Sequence, residues 1–65
     1  MEQKQIEVFS IHGDNYGYKD ITAMFWSNNK LHMIQVDYAG HTLNMYYDSM
    51  YGMFKNSKGN LKGKL

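Results

Sequence analysis

A chain of 65 residues with a formal net charge of +1 makes one domain at most, close to the lower limit for folding alone. It has no cysteine, which excludes a disulfide framework and thiolate metal sites, and no arginine, the usual residue for reading phosphates. No apolar run approaches the length of a membrane-spanning helix, and Met1-Glu2-Gln3-Lys4-Gln5 lacks the apolar core of a secretory leader, so a cytoplasmic protein is expected.

Residues 5–12 (QIEVFSIH) have strand composition, but the alternation breaks: Ile6 and Val8 point one way, Phe9 and Ile11 the other. The break predicts a bulge near Val8-Phe9 or a strand covered on both faces, pairing antiparallel with residues 19–27. Between them, Gly13-Asp14-Asn15-Tyr16-Gly17-Tyr18 reads as a polar, aromatic loop. Asp14, Asn15, Tyr16 and Tyr18 are its candidate contact residues, because Tyr with Gly and Asn supplies adaptable contacts at low entropic cost. An ordinary long hairpin loop with tyrosines over the sheet edge is the plainer reading.

Residues 19–47 read as a three-stranded antiparallel meander (19–27, 30–38, 41–47). Asn28-Asn29 tolerates the positive φ of a type I′ turn, and Ala39-Gly40 supplies the second turn. These turns place Met24 opposite Met33, Ala23 opposite Ile34, Val36 opposite Leu43 and Met33 opposite Tyr46. One face then collects Ile21, Ala23, Phe25, Ile34, Val36, Leu43 and Met45. The other carries polar residues at one end and Met24, Trp26, Leu31, Met33 and Tyr46 at the other. Those five make the candidate interaction surface, since a contiguous apolar patch on a soluble domain marks a contact site and Trp, Tyr and Met are favoured there.

Asp48-Ser49 resembles a helix start, and Met50, Met53 and Phe54 at i, i+3 and i+4 predict a short helix over 48–56 docked on Ile34, Val36 and Met45. Residues 57–65 (SKGNLKGKL) have little to bury and are expected to form a flexible basic tail. The predicted fold class is therefore α+β: an antiparallel meander of about four strands with one C-terminal helix on one face.

Chemistry is harder to find. His12, His32 and His41 have no metal-ligand spacing, no serine sits in a nucleophile elbow, and no glycine pattern makes a phosphate loop. No metal, cofactor or enzymatic activity is expected. Without a disulfide or a metal, a core this small is expected to gain stability by self-association, a dimer being favoured. In composition the chain (small, cysteine-free, rich in Tyr, Met and Asn) resembles phage-encoded inhibitors of host or antiviral-defence proteins, which implies a host protein as partner. The first functional reading is a non-enzymatic interaction module acting as inhibitor or adaptor. The second is a small binder of nucleotides or single-stranded nucleic acid, stacking bases on aromatics and using the tail lysines.

Overall fold

The computed structural model describes residues 4–65, and Met1-Glu2-Gln3 of the leader reading lie outside the described residues. The chain is all-β, with β1 (Gln5–Ser10), β2 (Asn15–Ser27), β3 (Lys30–Tyr38), β4 (His41–Asp48), β5 (Met53–Asn56) and β6 (Leu61–Lys64). The strands form a closed barrel in chain order, and β6 returns to pair antiparallel with β1. This corrects the α+β expectation. Among the described residues there is no helix, and residues 57–65 are a turn and a barrel strand, not a tail. Among the described residues no helix is long and apolar enough to cross a membrane.

The predicted helix start fails for an identifiable reason. Asp48 does cap: its Oδ1 accepts the Met50 N–H at 3.0 Å. One turn later the Gly52 N–H donates to the Asp48 carbonyl at 2.8 Å, with Gly52 at φ +67°. That left-handed glycine reverses the chain into β5 and ends the turn before a second one can form. Phe54 goes into the barrel while Met50 stays 81% exposed, so the supposed apolar stripe is split. The next reversal is held by Asn56, whose Oδ1 accepts the N–H groups of Asn60 and Leu61 at 3.0 and 3.1 Å.

In β6, Leu61 and Gly63 point inward and Lys62 points out. Gly63 stands opposite both Val8 and Phe54, at the seam where the barrel closes. The core is Ile6, Val8, Ile34, Val36, Met45 and Phe54, with Ile21, Met24, Leu31, Tyr38, Leu43 and Leu61 packed around it. Closure leaves no sheet edge, the arrangement that suits a small all-β chain.

Both meander turns have the expected geometry: Asn28 and Asn29 lie at φ 52° and 64°, Ala39 and Gly40 at 51° and 79°. The β3–β4 pairing runs from Tyr38↔His41 to Met33↔Tyr46, as the Ala39-Gly40 turn implies. β2–β3 differs in its middle. Ile21 faces Val36 and Trp26 faces Leu31, but Met24 faces Ile34 and Phe25 faces Met33. Thr22 is an extra residue on β2 and His32 an extra residue on β3, so two opposed bulges shift residues 23–25 by one position. Met24 thereby turns inward, and Ala23 and Phe25 turn outward. At β1–β2 the pairing shifts between Val8 and Phe9, with Tyr16 as the extra residue on β2. β1 itself alternates cleanly, with Ile6, Val8 and Ser10 buried.

Candidate functional site

Strand direction sorts the loops into two ends. One carries the β1–β2, β3–β4 and β5–β6 turns. The other carries the Asn28-Asn29 turn, the 49–52 turn and the end of β6, and is called the mouth below.

The five residues predicted to form one patch are divided between two places. Met24, Trp26 and Leu31 share the inward-facing side at the mouth, where with Ile21, Gln5 and Leu65 they line a hollow of about 360 Å³. Trp26 is 62% exposed on its rim. Met33 and Tyr46 are cross-strand partners on the outer wall, joined there by Phe25. The two bulges are the cause: Thr22 turns Met24 and Trp26 to the Ile34 side on β2, and His32 turns Leu31 to that side on β3. Neither alternation nor turn chemistry signals them.

A second, larger hollow of about 630 Å³ opens at the mouth between Lys30, Leu31, His32, Tyr47 and Phe54. Its volume is that of a small-ligand or side-chain pocket. Its floor is apolar, with the Tyr47 and Phe54 rings edge to face at 5.4 Å, and Lys30, His32 and Ser49 supply the polar groups. Leu31 and Leu65 border both hollows, so the two form neighbouring halves of one mouth.

The predicted loop residues are mostly strand. Only Asp14 precedes β2, and its N–H donates to the buried Ser10 Oγ at 3.0 Å. Asn15 ties β1 to β2 through Nδ2 to Glu7 Oε2 at 2.9 Å, and its Oδ1 accepts the Gly17 N–H at 2.7 Å. Tyr16 packs edge to face on Tyr38 at 6.3 Å, and Tyr38 on His41 at 6.1 Å, at the end away from the mouth. Tyr18 is exposed on the wall. Asp14, Asn15 and Tyr16 thus lie at the barrel end opposite the mouth, roughly a six-residue strand, about 20 Å, away from it.

Sequence reasoning missed the wall of β4–β6. Cross-strand pairing runs Phe25–Met33–Tyr46–Lys55–Lys62–Phe9, one lateral row around the outside. Tyr51 lies under both ammonium groups, with Lys55 Nζ at 4.4 Å and Lys62 Nζ at 5.5 Å from its ring centre. Asp48 Oδ2 pairs with Lys55 Nζ at 2.8 Å. That hydrogen bond holds the Asp48 carboxyl below its usual value, against some desolvation and with help from the Met50 N–H, and it raises Lys55. The alternation Leu61, Gly63, Leu65 against Lys62 and Lys64 was a strand signal that the Lys/Gly composition obscured.

Among the described residues no group of three or more His, Asp or Glu side chains is placed to hold a metal ion. No protein-family model matches the chain, and neither does any curated protein or solved structure.

Proposed function

We propose that this chain is a non-enzymatic protein-interaction module that works by seating its barrel mouth on another protein surface, a second copy of itself being the first such surface. One observation carries the reading. Of the ten large apolar side chains left exposed among the described residues, four lie at the mouth and off the outer wall: Trp26 on the rim, Tyr47 and Leu65 lining the hollows, and Met50 in the 49–52 turn. A protein interior has no use for them there, and water opposes the arrangement. The two apolar hollows between them supply concave seats, and Trp26 and Met50 supply convex anchors, so the surface is self-complementary in kind. The lack of cysteine suits a reducing, cytoplasmic setting. A host protein as a further partner, occupied and thereby inhibited, rests on compositional likeness to phage-encoded inhibitors.

Sedimentation velocity between about 5 and 200 µM tests the self-contact, the range matching moderate interfaces. A concentration-dependent dimer is expected, lost in Trp26→Ala and Met50→Ser with the β-sheet circular-dichroism signal intact. A wild type that stays monomeric throughout would remove self-association. A dimer indifferent to both substitutions would move the interface away from the mouth.

A further inference from the structure

We infer that the outer wall of β4, β5 and β6, distinct from the mouth hollows, is a binding strip for single-stranded nucleic acid. Lys55 and Lys62 are direct cross-strand partners. Like charges so placed repel each other and weaken a sheet, and here they do so in a barrel with little stability in reserve. Asp48 answers Lys55 alone. Around Lys62, the cross-strand neighbours are Phe9 and Lys55, and the contact shown for its ammonium is the Tyr51 ring. Lys64 follows on the same face, opposite Glu7, and Lys58 sits in the β5–β6 turn. The local excess is therefore positive and centred on Lys62, even after Asp48 and Glu7 are counted.

A phosphate between Lys55 and Lys62 relieves that repulsion, which makes the pair a seat for an anion. What selects nucleic acid over an acidic peptide is the rest of the row. Tyr46 is the cross-strand neighbour of Lys55, and Met33 and Phe25 continue it, with both rings nearly half exposed. Flat aromatic faces beside lysines, on a curved sheet, give bases a stacking surface while phosphates meet ammonium groups. An acidic peptide such as polyglutamate has no flat base to stack on those rings. The Tyr51 ring holds the two lysines side by side, so it acts as a positioning residue for the phosphate seat.

The test is fluorescence anisotropy of a labelled twelve-nucleotide oligothymidylate with the full chain at 20 and 200 mM NaCl. With about three phosphates neutralised, the slope of log affinity against log salt is about −2, so the higher salt weakens binding about 100-fold. Lys62→Gln should make the slope shallower by about 0.7. Tyr46→Ala should weaken binding at both salts and leave the slope unchanged. Lys19→Gln, at the far end, and Trp26→Ala, at the mouth, should bind as wild type, so failure here and failure of the mouth interface read out separately. No binding at 20 mM NaCl overturns the inference, as does binding unaffected by Lys62→Gln. Equal binding of polyglutamate, or of phosphatidylserine vesicles, shows a general anion surface and overturns it too.

Discussion

Gly63→Ala is the substitution that most directly interrogates barrel closure. A Cβ built at Gly63 would lie 2.4 Å from Ile6 Cδ1, 3.0 Å from Ile6 Cγ1 and 3.1 Å from Met45 Cε. Carbon atoms in contact sit at about 3.5–4.0 Å, so Ile6 Cδ1 must retreat by roughly 1 Å. Cδ1 is the free end of the Ile6 side chain, so rotation relieves part of the clash, but it must repack among fully buried neighbours, Met45 included. Overpacking of this kind costs about 1–3 kcal/mol, and the lower entropy of unfolded Ala returns about 0.4–1 kcal/mol. The mid-range balance, a net loss of about 1.3 kcal/mol, corresponds to a fall in Tm of about 5–10 °C for a domain of this size. The control is Ile6→Val, which removes the clashing Cδ1. Alone it should cost about 0.5–1.5 kcal/mol, but in the Gly63→Ala background it should raise Tm. Thermal melts followed by circular dichroism give all four corners of the cycle. A Gly63→Ala protein as stable as wild type would mean that β6 does not seat on Ile6, and additive effects would mean that the two residues do not touch.

Ala39 occupies the left-handed region at φ 51° without a special side chain, so Ala39→Gly should stabilise by about 0.5–1 kcal/mol, and a lower midpoint in urea would refute the turn geometry. Asn56→Ala removes the acceptor of two N–H groups and the 2.6 Å donor contact to Asn60 in a nearly buried site, and should cost about 2–3 kcal/mol in urea melts. A loss below about 0.5 kcal/mol would show that the β5–β6 turn does not depend on it. Asp48→Asn keeps an acceptor for the Met50 N–H but loses the charge facing Lys55. Asp48 titrates below its ordinary value, so its contribution is complete above the unfolded carboxylate pKa and is lost as pH falls through the depressed folded one. The raised Lys55 contributes fully below the ordinary lysine value and loses that contribution as pH rises through its folded pKa. The Tm gap between Asp48→Asn and wild type should therefore be open at neutral pH and close in strong acid, and a gap constant with pH would refute the pairing.

How far the residues could be read depends on how local their instructions are. Asn28-Asn29 and Ala39-Gly40 carry their turn geometry in their own conformational preferences, and the whole β3–β4 register follows from the second. Residues 21–26 carry no such instruction. Ala23 and Phe25 are about as apolar as Met24 and Trp26, so alternation cannot choose which pair faces in. Asp48 shows a different limit: a carboxylate accepting a backbone N–H two residues on begins a helix or an Asx turn equally well. Gly52 decides between them by its left-handed backbone.

By itself, then, the sequence determined the meander, its two tight turns, the antiparallel N-terminal strand and the inward set Ile34, Val36, Leu43 and Met45. These follow from period-two alternation and turn chemistry, which act over a few residues. Barrel closure settled that β6 pairs with β1, that Ile6 and Met45 crowd the space beside Gly63, and that Trp26 and Met33 lie on opposite sides of the sheet. Those outcomes come from bending six strands into a ring, which needs bulges at Thr22 and His32 and space at the seam. Curvature is a property of the closed set of strands, and no single strand encodes it.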